Sequence, residues 1–145
     1  MALLQKRALY SFIIGVVLTL ALIAVFLAKG DINAFDSEVS LRLIVYTALI
    51  GVPLVYLILV NLTLRKPTQV DERDKLIIDK SAGTQWVAVI FSLAAWTIIL
   101  TEIYREQRQV PVVFLNLIFI STLIIGTLAR SLGILIGYRR INRHD

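Results

Sequence analysis

The 145-residue sequence predicts an all-α integral membrane protein: four transmembrane helices arranged as two hairpins, with a cytoplasmic helix extension before the third span. Three observations carry this reading. Hydrophobic residues make up 58% of the chain and mean hydropathy is +0.82, well above the roughly 45–50% apolar content of soluble domains. The apolar residues are gathered into runs close to the ~20 residues a helix needs to cross a hydrocarbon core about 30 Å thick. The charged residues, Glu102 and Arg130 apart, flank those runs rather than interrupt them.

The first span covers about 8–28 and contains no charge. Lys6 and Arg7 give it the positive start of a signal peptide, but the run is too long for a signal core. The stretch from Phe26 to Asp31 also makes a poor cleavage site, so a retained span is expected. The second span covers about 43–64, with Gly51 and Pro53 in its middle. Pro53 is expected to kink it, which neighbouring helices can accommodate. The third covers about 84–103, and a segment at 65–83 joins it to the second. The fourth covers about 111–135; it opens at Pro111, a favoured first helical position, and Arg130 breaks its apolar pattern before Tyr138. Inside lipid every backbone polar group needs a partner, so these runs should be helices rather than open strands. One membrane domain, residues 1–145, is expected.

Orientation follows from Lys and Arg, which concentrate on cytoplasmic flanks. Lys6, Arg7, Arg65, Lys66, Arg73, Lys75, Lys80, Arg139, Arg140 and Arg143 fall on one side. Lys29, Arg42, Arg105 and Arg108 fall on the other, and Arg130 lies near a boundary. Ten against four puts both termini and the central segment in the cytoplasm of a multi-pass protein of the cell membrane. The net charge of +5 is therefore membrane-flanking charge, not a direct nucleic-acid surface.

Reactive chemistry is sparse. There is no cysteine, and the one histidine, His144, stands next to the C-terminus. No carboxylate pair, activated nucleophile or phosphate-cradling glycine loop occupies a plausible site. The sequence predicts a non-enzyme with no catalytic residue, cofactor or metal site.

The central segment is more informative. Pro67 ends what precedes it, and Thr68 with Asp71 fits the Ser/Thr-x-x-acid pattern of a helix start. Asp71, Glu72 and Asp74 then fall in the first turns, where the helix dipole favours negative charge. Asp71 to Lys75 and Lys75 to Asp79 are spacings that suit ion pairs. A solvated, well-capped helix running straight into the third span accounts for the whole pattern.

Asp71-Glu72-Arg73-Asp74-Lys75-Leu76-Ile77 precedes an apolar pair of spans with Asn116 early in the second and Tyr138-Arg139-Arg140 at its close. This arrangement resembles a widespread bacterial and archaeal family of small membrane proteins of unknown function, marked by a DERD-x-x-I motif ahead of a helical hairpin. The resemblance covers the C-terminal half of the chain; Ser81–Gly83 departs from the bulkier, more basic residues often found there. Members are often encoded beside small helix-turn-helix regulators, which implies a signalling role. The family pattern also implies that Asp71, Glu72 or Asp74 pairs with Arg130, Arg139 or Arg140 at the base of the hairpin.

Other polar residues have local readings. Arg130 either snorkels to the interface or faces inward toward an anion or a carboxylate. Glu102 suits an interfacial position near Arg105. Asn116 and Thr127 are three helical turns apart and share a face, giving a candidate polar seam of interhelical hydrogen bonds. Gly133-x-x-x-Gly137 is a candidate close contact, within the chain or between protomers. Trp86, Trp96 and the five tyrosines suit an aromatic belt at the interfaces.

Two functions are expected from these features. One is a regulatory or accessory protein whose charged cytoplasmic segment contacts a protein partner. The alternative is a small homo-oligomeric transporter or channel, lined by the Asn116 seam and Arg130. No span holds a midplane carboxylate, which weighs against the second.

Overall fold

A computed structural model describes residues 3–29, 38–64 and 71–141; Arg65, Lys66, Pro67, Thr68, Arg143 and His144 lie outside them. The described residues form four helices and no strand. We number them α1 (Leu3–Lys29), α2 (Val39–Leu64), α3 (Glu72–Tyr104) and α4 (Val113–Ile141). All four are long and apolar enough to cross a membrane. At 1.5 Å per residue they run about 40 to 50 Å, longer than the ~30 Å hydrocarbon core.

Their outer faces confirm what the composition demands. Val17, Leu20 and Ile23 on α1, and Ile90, Phe91 and Ile98 on α3, are all exposed. A helix that is apolar all round belongs in a core or in lipid, and here no further protein layer covers these side chains.

Three small clusters hold the bundle. At one end, here called the base, Leu4 and Ala8 of α1 pack with Ile77 of α3 and with Ile134 and Tyr138 of α4. In the middle, Val52 of α2 packs with Ile120 and Ile124 of α4. At the opposite end Leu41 and Val45 of α2 meet Leu100 of α3 and Val113 and Phe114 of α4. The clusters also fix direction: α1 and α3 begin at the base where α4 ends, so α1 and α3 both run antiparallel to α4. Every cluster includes α4. It packs most extensively against α3, then α1, then α2, whereas α1 and α2 share little contact.

Glycines set the closest approach. A Cβ on Gly133 would stand 3.1 Å from the Ser81 Cα, and one on Gly137 would stand 2.9 Å from Ile77 Cγ2. The Gly133–Gly137 pair therefore seats α3 on α4 within one chain. Gly126 continues the same seam, its notional Cβ 3.2 Å from Val89 Cγ2. With no side chain in the way, the backbones come near enough to gain the van der Waals contact that drives helix association in lipid.

One sequence expectation shifts. Pro111 precedes the first residue of α4 by two positions: the Phe114 N–H donates to the Pro111 carbonyl at 3.1 Å, so a turn and not the helix proper opens there. Past Arg130 the helical pattern holds, and α4 continues unbroken to Ile141, six residues beyond the expected end of the span at 135.

Candidate functional site at the base of the bundle

The chemistry-bearing residues converge on the base. α3 starts with Asp71 as its cap: the backbone is extended (φ −68°, ψ 159°) and the Glu72 N–H donates to Asp71 Oδ1 at 2.8 Å. The Lys75 N–H donates to the Asp71 carbonyl at 3.0 Å, closing the first turn. Glu72 and Asp74 lie in that turn, and Arg139 and Arg140 lie in the last turn of α4. Each set complements its own helix dipole. Because the two helices are antiparallel, an acidic start and a basic end stand side by side.

The link between them is a hydrogen bond. The Tyr138 hydroxyl donates to Asp74 Oδ1. Tyr138 is buried in the basal cluster and Asp74 is half-buried. Among the described residues Arg130, Arg139 and Arg140 make no ion pair with Asp71, Glu72 or Asp74. The physical reason is exposure. Arg139, Arg140, Asp71 and Glu72 face solvent, where an ion pair contributes at most ~1 kcal/mol. A phenol held in place by packing loses less freedom when it meets a carboxylate.

Arg73 is exposed and stands beside the α3–α4 seam, while Arg130 is half-buried about 12 Å back along α4 from Tyr138 by helical rise. Asn116 and Thr127 are half-buried, but the Thr127 hydroxyl donates to the Leu123 carbonyl of its own helix at 2.8 Å. That bond is local, so Thr127 supplies no link between helices.

The interhelical polar bonds lie elsewhere. Trp96 Nε1 donates to the Ser121 hydroxyl at 2.9 Å, and Gln85 Nε2 donates to the Tyr56 hydroxyl at 3.2 Å. Trp96 also stacks edge-on against Phe114, with ring centroids 6.2 Å apart. Half-buried in the bundle, Trp96 acts as a packing and hydrogen-bonding residue rather than a belt residue. Sequence reasoning missed both donors; the available signal was a polar side chain with no local partner at a helical depth where lipid offers none.

Among the described residues no group of three or more His, Cys, Asp or Glu side chains is placed to hold a metal ion. A cavity of about 330 Å³ opens between α1, α3 and α4, lined by Leu22, Phe26, Leu117 and Ile124 with only the Thr19 and Ser121 hydroxyls and the Trp96 indole as polar company. No family model matches the chain, and no curated protein or solved structure matches it.

Proposed function

We propose that this is a regulatory or accessory protein of the cell membrane that works through its base, which faces the cytoplasm and contacts a protein partner. In this topology successive helices cross the membrane in opposite directions, α3 packs on α4 as a hairpin, α1 lies against α4 rather than α2, and both termini are cytoplasmic. The excess of Lys and Arg at the base supports that side assignment.

One observation carries the reading. The first turns of α3 are held in place by a cap, by the Tyr138–Asp74 bond and by a three-helix cluster, yet Glu72 and Asp79 point outward and exposed. Charged side chains on a fixed frame, with no reactive constellation beside them, suit recognition better than catalysis. The resemblance of the DERD segment to a family encoded near small regulators agrees with this role. Transport has less support, because the cavity between α1, α3 and α4 is almost wholly apolar.

The test is a pull-down from native membranes with wild type, Glu72→Lys/Asp79→Lys, and a Glu106→Lys control at the opposite end. These substitutions leave the Asp71 cap and the Asp74 bond in place. A partner retained by wild type and control but lost from the double variant supports docking at the base. A partner retained by all three, or an anion flux in liposomes that the double variant leaves intact, overturns it.

A further inference from the structure

A groove of about 430 Å³ runs along the α3–α4 seam at the base. Its floor is Gly133 and Gly137, its walls include Leu76, Ile77 and Ile136, and its charged residues are Arg73, Lys80 and Arg140. Among the described residues no carboxylate lines it. Lys80, Arg140, Leu76 and Ile136 are exposed, so an occupant approaching from outside meets cations and apolar surface together.

Helical rise sets its depth. Thr84 lies 20 residues back from Tyr104, and Gly133 lies 20 residues on from Val113. At 1.5 Å per residue each is about 30 Å from the far end of its helix, which is the thickness of the hydrocarbon core. The groove therefore starts where the two helices leave the hydrocarbon and extends through the headgroup layer. Its cations lie beyond Thr84 and Gly133, at the height of lipid phosphates.

We propose that this groove binds one anionic phospholipid. Lys80 and Arg140 hold the phosphate with Arg73 beside them, and the glycerol backbone lies over the two glycines against Leu76 and Ile136. The acyl chains follow α3 and α4 into the bilayer. Charge complementarity selects the occupant: Lys80 and Arg140 favour an anion, the anion at this height in the bilayer is a lipid phosphate, and a zwitterionic lipid leaves its own cation facing theirs. Basic pockets between transmembrane helices at this boundary recognise anionic headgroups by the same physics.

Native mass spectrometry of the delipidated full chain in mild detergent tests this, with phosphatidylglycerol and phosphatidylcholine as probes. Wild type is expected to bind phosphatidylglycerol in preference to phosphatidylcholine. Lys80→Gln/Arg140→Gln should weaken phosphatidylglycerol binding about 30-fold, taking roughly fivefold per cation near a membrane surface. Arg105→Gln/Arg108→Gln, at the opposite end, should retain the preference. Equal binding of the two lipids by wild type overturns the proposal, as does a preference that survives in the Lys80/Arg140 variant. Displacement of phosphatidylglycerol by millimolar inorganic phosphate would assign the cations to a free anion and also overturns it. The partner-docking substitutions lie outside this groove, so either reading can fail alone.

Discussion

Replacing Gly133 with alanine probes how closely α3 and α4 approach, and Gly83 supplies the reference. Gly83 sits in α3 with nothing within 4 Å of a notional Cβ. Gly83→Ala should therefore register helix propensity alone, a gain of up to ~1 kcal/mol in an exposed helix. At Gly133 the same propensity gain is opposed by a Cβ 3.1 Å from both the Cα and Cβ of Ser81. Ordinary carbon contacts lie near 3.5–4.0 Å, so the helices must part by about half an ångström. Ser81 cannot yield by rotating: neither its Cα nor its Cβ moves with χ1, and its hydroxyl donates to the Ile78 carbonyl at 2.7 Å. Overpacking of this kind costs about 1–3 kcal/mol. Gly133→Ala should thus fall about 1–3 kcal/mol below Gly83→Ala, and about 0–2 kcal/mol below wild type. Unfolding in mild detergent titrated with a denaturing one, followed by helical circular dichroism, measures both. Equal stabilisation by the two alanines would refute the close seam.

Further predictions concern single bonds. Tyr138→Phe should destabilise by about 1 kcal/mol, since it removes one hydrogen bond to a half-buried carboxylate; the same unfolding assay reads it, and no change would mean that water replaces the phenol without loss. Asp71→Ala removes the α3 cap and should cost about 1 kcal/mol, whereas Asp71→Asn should be close to neutral. A double-mutant cycle of Trp96→Phe with Ser121→Ala should give a coupling near ~0.6 kcal/mol, the usual size for an interhelical bond in lipid. Tyr56→Phe should weaken the hold of α2 on α3, detectable as faster proteolysis of α2 with α3 and α4 left intact, because Gln85 spans that gap with a side chain.

The spans were legible because lipid imposes a simple rule on length and polarity. A helix start ahead of the third span was legible for a local reason too, since acidic first turns announce one, but the cap is Asp71, three residues later than the Thr68-x-x-Asp71 pattern places it. Rotation about each helix axis was not. Between Trp86 and Trp96 α3 is apolar on nearly every side, so nothing in its composition said that Trp96 turns inward to Ser121 while Trp86 stays 69% exposed. That choice is fixed by where the glycines of α4 let α3 settle. Gly126, Gly133 and Gly137 were visible in the sequence, but only their shared partner helix makes them one seam. In the sequence Tyr138 is an interfacial aromatic and part of a motif and no more, since its bond to Asp74 joins residues 64 positions apart.

The dependence of every cluster on α4 has a consequence for synthesis in the cell. Chains emerge N-terminus first at about 5–20 residues per second. α1 is complete at Lys29, but the surfaces it packs on are not complete until Ile141. For several seconds the first three helices lie in the bilayer with little to hold them, since α1 and α2 barely touch. The protein is thus assembled late and all at once, when its last helix arrives. A stop codon within α4 should leave three inserted helices without a core, a substrate for membrane proteases rather than a partly working protein.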